Sequence, residues 1–184
     1  GVSEDYPSQR PVRFMGAGGI SKDGPEDRGL SERCIAGFNA GPPFMPSAYN
    51  NNIQIFQHKD HIVIMTEMVH DARVVPLDEN HDLHDDVRLW SGDSRGYWDG
   101  DTLVVETKNF SDMVQSFLAS PYGNAREKSL MERFTRVNET TVEYEFTIND
   151  PGTFTDRITA MVPMTRVDGL LYEYSCHEGN YGTT

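Results

Sequence analysis

Leu130-Met-Glu-Arg-Phe-Thr-Arg-Val137, then Asn138-Glu139, then Thr140-Thr-Val-Glu-Tyr-Glu-Phe-Thr-Ile148 is the stretch that decides the fold. Val142, Tyr144, Phe146 and Ile148 alternate with Thr141, Glu143, Glu145 and Thr147. A period of two places the first set on one face of a strand and the second on the other, so one side is buried and the other wet. With a two-residue turn between them, the two runs predict an antiparallel hairpin.

Working outward, the same grammar repeats. Ile53–Gln57 and His61–Val69 read as a hairpin around His58-Lys59-Asp60, and Arg73–Leu77 as a short strand ended by polar residues. Thr102–Thr107 follows the Asp99-Gly100-Asp101 turn, while Arg157–Arg166 and Leu170–Cys176 predict a last hairpin turning at Asp168-Gly169. Helix signals are weak, with short candidates at 27–36, 112–119 and 125–131. About eight successive strands with little helix predict an antiparallel meander, closed as a calycin- or lipocalin-like β-barrel or packed as a sandwich. Residues 1–50 lack periodicity and are rich in glycine and proline. They predict an extended arm, anchored by Phe14, Phe38 and Phe44, ahead of a β domain over 51–184.

Composition narrows the function classes. With 184 residues and 37% hydrophobic content the chain can build one real core. A net charge of −13 disfavours nucleic acid, which needs Lys and Arg to displace counterions. It favours solubility, cations or a cationic partner. No apolar run approaches the roughly 20 residues of a membrane helix, so no membrane span is expected. Any secretion signal is expected to lie outside the sequence. Cys34 and Cys176 have no Cys or His ligand spacing around them, which argues against structural zinc. A disulfide between them is the favoured reading and two buried free thiols the alternative; the disulfide would imply an oxidising compartment.

Residues 88–110 form the densest concentration of chemistry, with Trp90 and Trp98 among Asp93, Arg95, Asp99, Asp101 and Glu106 in a glycine-rich loop leading into a strand. Aromatic planes beside carboxylates and a guanidinium suit sugar-like or ring-shaped ligands, and paired carboxylates suit glycosidic chemistry. The alternative is a turn network in which Asp side chains cap amides and the tryptophans plug the core.

Several motifs occur together: Cys34, Gly41-Pro-Pro, Tyr49-Asn-Asn-Asn, Glu67-Met-Val-His-Asp-Ala-Arg, Gly92-Asp-Ser-Arg-Gly, Trp98-Asp-Gly-Asp-Thr-Leu-Val-Val-Glu-Thr, Glu132-Arg-Phe-Thr-Arg and Cys176-His-Glu-Gly-Asn-Tyr-Gly. On these the chain resembles, over about residues 23–182, a large family of bacterial proteins whose precursors look secreted. The resemblance carries no activity. It implies a periplasmic or extracellular setting and a chain that is a fragment of a longer precursor.

Three readings of function compete. In the first, a cofactor-independent enzyme acts on a sugar-like or ring-shaped small molecule. Glu67, His70, Asp71, Arg73 and His177 are its catalytic candidates, with a histidine as base and an arginine steadying an oxyanion. Trp90, Asp93, Arg95, Trp98, Asp99 and Asn180 would bind the substrate. Against this, Asp71 and Arg73 also suit a structural ion pair. In the second reading the same shape binds a small molecule without turnover. In the third, the arm adds as a strand to a neighbour and builds a homopolymer or extracellular filament. His81 and His84, with Asp82, Asp85 and Asp86 beside them, have the spacing for a divalent metal, but exposed solvating residues are the favoured reading. No cofactor is expected.

Overall fold

The computed structural model describes residues 30, 31, 33–37, 39–78, 83–112, 114 and 125–179. Within them the chain is mainly β. A first antiparallel sheet holds β1 (Ile53–Gln57), β2 (His61–Thr66) and β3 (Ala72–Pro76), in that order. A second holds β4 (Asp93–Asp99), β5 (Thr102–Lys108), β6 (Ser129–Arg136), β7 (Thr141–Asn149) and β8 (Ile158–Thr165), again in chain order. Every pairing joins strands adjacent in sequence, which is the expected meander.

The expected barrel closure is not formed as a hydrogen-bonded ladder among the described residues. β3 lies beside β4, but no ladder joins them, and β8 and β1 are both sheet edges. At the first break Gly96 of β4 sits so close to β3 that an added Cβ would lie 2.9 Å from Val75 and 3.3 Å from Leu77. β3 and β4 therefore approach closely at a glycine, where a side chain would hold them apart.

The inner faces follow the parity read from the sequence. The β6–β7 register sets Phe134 opposite Tyr144, Glu132 opposite Phe146 and Leu130 opposite Ile148. These six line the interior together with Ile62, Ile64, Val75, Leu103 and Val105. Phe44, from the glycine- and proline-rich stretch, is buried in the same core and packs edge-on to Phe134 at 6.5 Å. Phe14 and Phe38 lie outside the described residues. Cys34 and Cys176 form a disulfide, which closes a loop of 142 positions and ties the start of the described chain to its end. Among the described residues no helix is long and apolar enough to cross a membrane.

Four local expectations need correction. The strand expected over 61–69 stops at Thr66. Val69 and His70 take positive φ values of 62° and 46° inside a short 3-10 turn, Met68–His70, and Thr66 Oγ1 donates to the Met68 carbonyl. Residues 93–99, read as loop, form β4, because pairing with the apolar β5 outweighs the low β propensity of Asp and Gly. Residues 125–131, a helix candidate, are a turn leading into β6, where the period of two prevails. Leu170–Cys176, expected as a strand, joins no ladder among the described residues. The described part of 27–36 is turns, and 112–119 lies largely outside the described residues.

Candidate functional site

The catalytic candidates separate. Arg73 turns into the core, where its two terminal nitrogens donate to Glu132 at 2.6 and 3.0 Å. The expected Asp71–Arg73 pair is thus replaced by a bidentate pair with β6. Asp71 instead accepts from the Ala72 N–H at 2.9 Å and from Ser91 Oγ at 3.5 Å. Glu67 Oε2 accepts from Asn52 Nδ2 at 2.9 Å and holds the start of β1 to the end of β2. His70 is exposed, with Nδ1 2.9 Å from the Tyr174 carbonyl oxygen. His177 is also exposed, and no hydrogen bond joins it to His70 among the described residues.

The ligand-binding candidates are spread along one sheet edge. Asp93 is buried and accepts from Arg95 at 2.7 Å, and Arg95 also reaches Asp78 at 3.5 Å. Asp99 accepts from Arg133 at 2.9 Å. Trp90 and Trp98 are 37% and 45% exposed, so neither plugs the core. His84 lies 3.4 Å from Asp86 on an exposed loop, and among the described residues no three His, Cys, Asp or Glu side chains could hold a metal. His81 and Asn180 lie outside the described residues.

What the fold does bring together is a buried polar network. Tyr144 Oη donates to Glu132 Oε1 at 2.8 Å and accepts from the Phe44 N–H at 3.0 Å. The Arg73 guanidinium also lies 5.3 Å from the Phe44 ring centroid. Burial alone would lower the Arg73 pKa, but Glu132 outweighs it and the net direction is upward. Burial raises Tyr144 well above the usual tyrosine range, with Glu132 adding to the shift. Beside them Lys128 donates to the Pro42 carbonyl at 3.1 Å and stands 4.1 Å over the Phe110 ring. Burial pushes the Lys128 pKa down to about 7, against the pull of Glu132 and Asp150. Each ionic group is buried, so the network supports the fold.

The open site lies elsewhere. A cleft of about 580 Å³ separates β1 and β8, the two outer edges that have no ladder partner among the described residues. Phe44, Ile53, Ile55, Val142, Val162 and Met164 line it, together with the charged Arg136, Glu139 and Arg166. The registers place Ile53 and Ile55 on the face shared with buried Thr66 and Ile64, and Val162 on that of Tyr144. These are inward-facing residues left half covered; Ile55 is 38% exposed. At one end Asn39 shapes the mouth. Its side-chain amide nitrogen lies within 2.8–3.1 Å of Ser47 Oγ, the Tyr49 and Asn50 carbonyls and Asn51 Oδ1. That clamp holds the loop entering β1 and gives the Tyr49-Asn-Asn-Asn motif a structural task.

Sequence reasoning missed Glu132, Lys128, Tyr144 and the cleft. A signal existed for the first two: Lys128 and Glu132 share parity with Leu130 and Phe134, which puts charges on the apolar face of a strand. The cleft follows from which strands stay unpaired, a property that no single segment carries.

No family model, curated protein or solved structure matches this chain.

Proposed function

We propose that this chain is a secreted, non-catalytic binding module that receives an extended polypeptide as an added strand between β1 and β8, completing an open barrel. The observation that carries the reading is the pair of strand edges, β1 and β8, that stay without a ladder partner among the described residues on either side of a partly apolar cleft. An exposed edge presents unpaired N–H and C=O groups, and an entering strand satisfies them on both sides. The same strand would cover Ile53, Ile55, Val162 and Met164 with its inward side chains. Arg136, Glu139 and Arg166 line the cleft, but among the described residues no histidine does, and the Arg136 guanidinium is engaged with the Asn138 and Glu139 carbonyls, which weighs against the enzymatic reading. A small ring-shaped ligand would fill the volume but would leave both edges unpaired. The Cys34–Cys176 disulfide and the resemblance to secreted bacterial proteins support an oxidising, extracytoplasmic setting.

The test is binding of a synthetic peptide alternating Val and Thr, flanked by Lys, measured calorimetrically on dilute protein. The expected result is saturable binding that weakens roughly 100-fold in Ile55→Arg, because a charge then sits in the buried part of the interface. Circular dichroism checks that the variant keeps its fold. Failure of the peptide to bind, with tight binding of an aromatic or sugar-like small molecule instead, would replace this reading by the small-molecule one.

A further inference from the structure

Resting on that reading, we infer that the strand received by the cleft is residues 6–22 of a second copy of this chain, so that copies join head to tail.

Three observations select this occupant. The first is charge. Residues 6–22 contain Arg10, Arg13 and Lys22 and no acidic residue, within a chain of net charge −13. A cationic segment is drawn to the acidic body as a whole by long-range attraction, which speeds encounter; the cleft lining itself, with Arg136, Arg166 and Glu139, adds no acidic pull. The second is pattern. Val12, Phe14, Gly16, Gly18 and Ile20 share one parity, so large apolar side chains at both ends flank a narrow middle. The glycines suit a gap whose floor is already filled by Phe44, and they let the backbone approach two edges at once. Pro7 and Pro11 both precede the alternating core of that segment, Val12 to Ile20, where a missing N–H costs least.

The third observation favours a neighbour over the chain's own arm. Beside the cleft, Val167, Leu170 and Tyr172 are 65%, 76% and 70% exposed. Val167 and Leu170 border the cleft itself, so a single strand between β1 and β8 reaches them only from one side and leaves Tyr172 in water, whereas a neighbouring domain that brings its arm covers Tyr172 as well. Residues 23–29 can span up to about 25 Å when extended, enough to pass from one copy to the next. Because arm and cleft are different surfaces, the contact is heterologous and does not close on itself, so it propagates as an open chain.

Complementary variants provide the test, with full-length protein throughout. Val12→Asp/Phe14→Asp removes the donor and keeps the cleft; Ile55→Arg blocks the cleft and keeps the donor, with Met164→Arg as a second blocking variant should Ile55→Arg misfold. Sedimentation velocity of the unmodified chain is expected to show oligomers that grow with concentration and shrink with added salt. Each variant alone is expected to remain monomeric, and an equimolar mixture to form a one-to-one dimer and nothing longer. An unmodified chain that stays monomeric at all concentrations, or a mixture that stays unassociated, would overturn the inference. The two failures separate cleanly. If the mixture stays apart while the donor-less variant still binds the Val/Thr peptide, only the identity of the occupant is wrong. If that variant binds no peptide either, the strand-receiving reading falls with it.

Discussion

Glu132 has no solvent exposure and meets both Arg73 and Tyr144, so it is the residue on which the core is least tolerant. Glu132→Gln leaves the Arg73 guanidinium buried without its counter-charge, and a loss of about 3–5 kcal/mol is expected in denaturant unfolding. Arg73→Met/Glu132→Leu removes both charges and should recover part of that loss, as buried pairs replaced by apolar side chains commonly do. Lys128 makes a prediction in pH. Its folded pKa, about 7, lies below the ordinary 10.5. Between those values the unfolded chain holds a proton that the folded one has released, so stability rises with pH across that window. The slope is up to about 1.4 kcal/mol per pH unit for one group. Above about pH 10 the raised Tyr144 pKa works the other way, because unfolding then releases a proton and stability falls. Lys128→Met should flatten the rise between about pH 7 and pH 10, measured as unfolding free energy against pH; an unchanged slope would mean that Lys128 is not the titrating group. At this scale the sequence was half legible. The parity of Lys128 and Glu132 was there to be read on β6, but the partner of Glu132 comes from another sheet, 59 positions away.

Strands were legible wherever hydrophobic alternation was clean, as in β6 and β7, and misread where packing overrode local preference. β4 is the clearest case. Its Asp93-Ser-Arg-Gly-Tyr-Trp-Asp composition says turn, yet its seven residues pair in register with β5. Leu170–Cys176 errs in the opposite direction: its alternation says strand, but no neighbouring edge meets it among the described residues. The candidate site suffered most from this. The histidines, carboxylates and arginines of 67–73 looked like one cluster in sequence, but the 3-10 turn at Met68–His70 sends His70 outward while Arg73 points inward. Gly96 tests the account of the contact between the two sheets. Gly96→Val should cost about 1–3 kcal/mol by overpacking against Val75 and Leu77. It should also accelerate amide exchange in β3, while a neutral effect would show that the sheets are not closely seated there.

At the scale of the whole molecule, the described residues form a meander whose first and last strands do not pair with each other, stapled near its two described ends by Cys34–Cys176. Fold class was legible because it depends on counting strands; closure was not, because it depends on whether the first and last strands meet. The staple should matter in proportion. Cys34→Ala/Cys176→Ala is expected to lose about 2–5 kcal/mol in denaturant unfolding, and no loss would show that the cross-link is dispensable. Hydrogen exchange on the full-length protein, compared between dilute and concentrated samples, examines the cleft itself. If the opening receives a strand, amides of β1 and β8 slow markedly on concentration, while β5 and β6, already paired on both sides, stay unchanged. If β1 and β8 continue to exchange quickly and protection appears instead around Trp90 and Trp98, the cleft is not the binding surface.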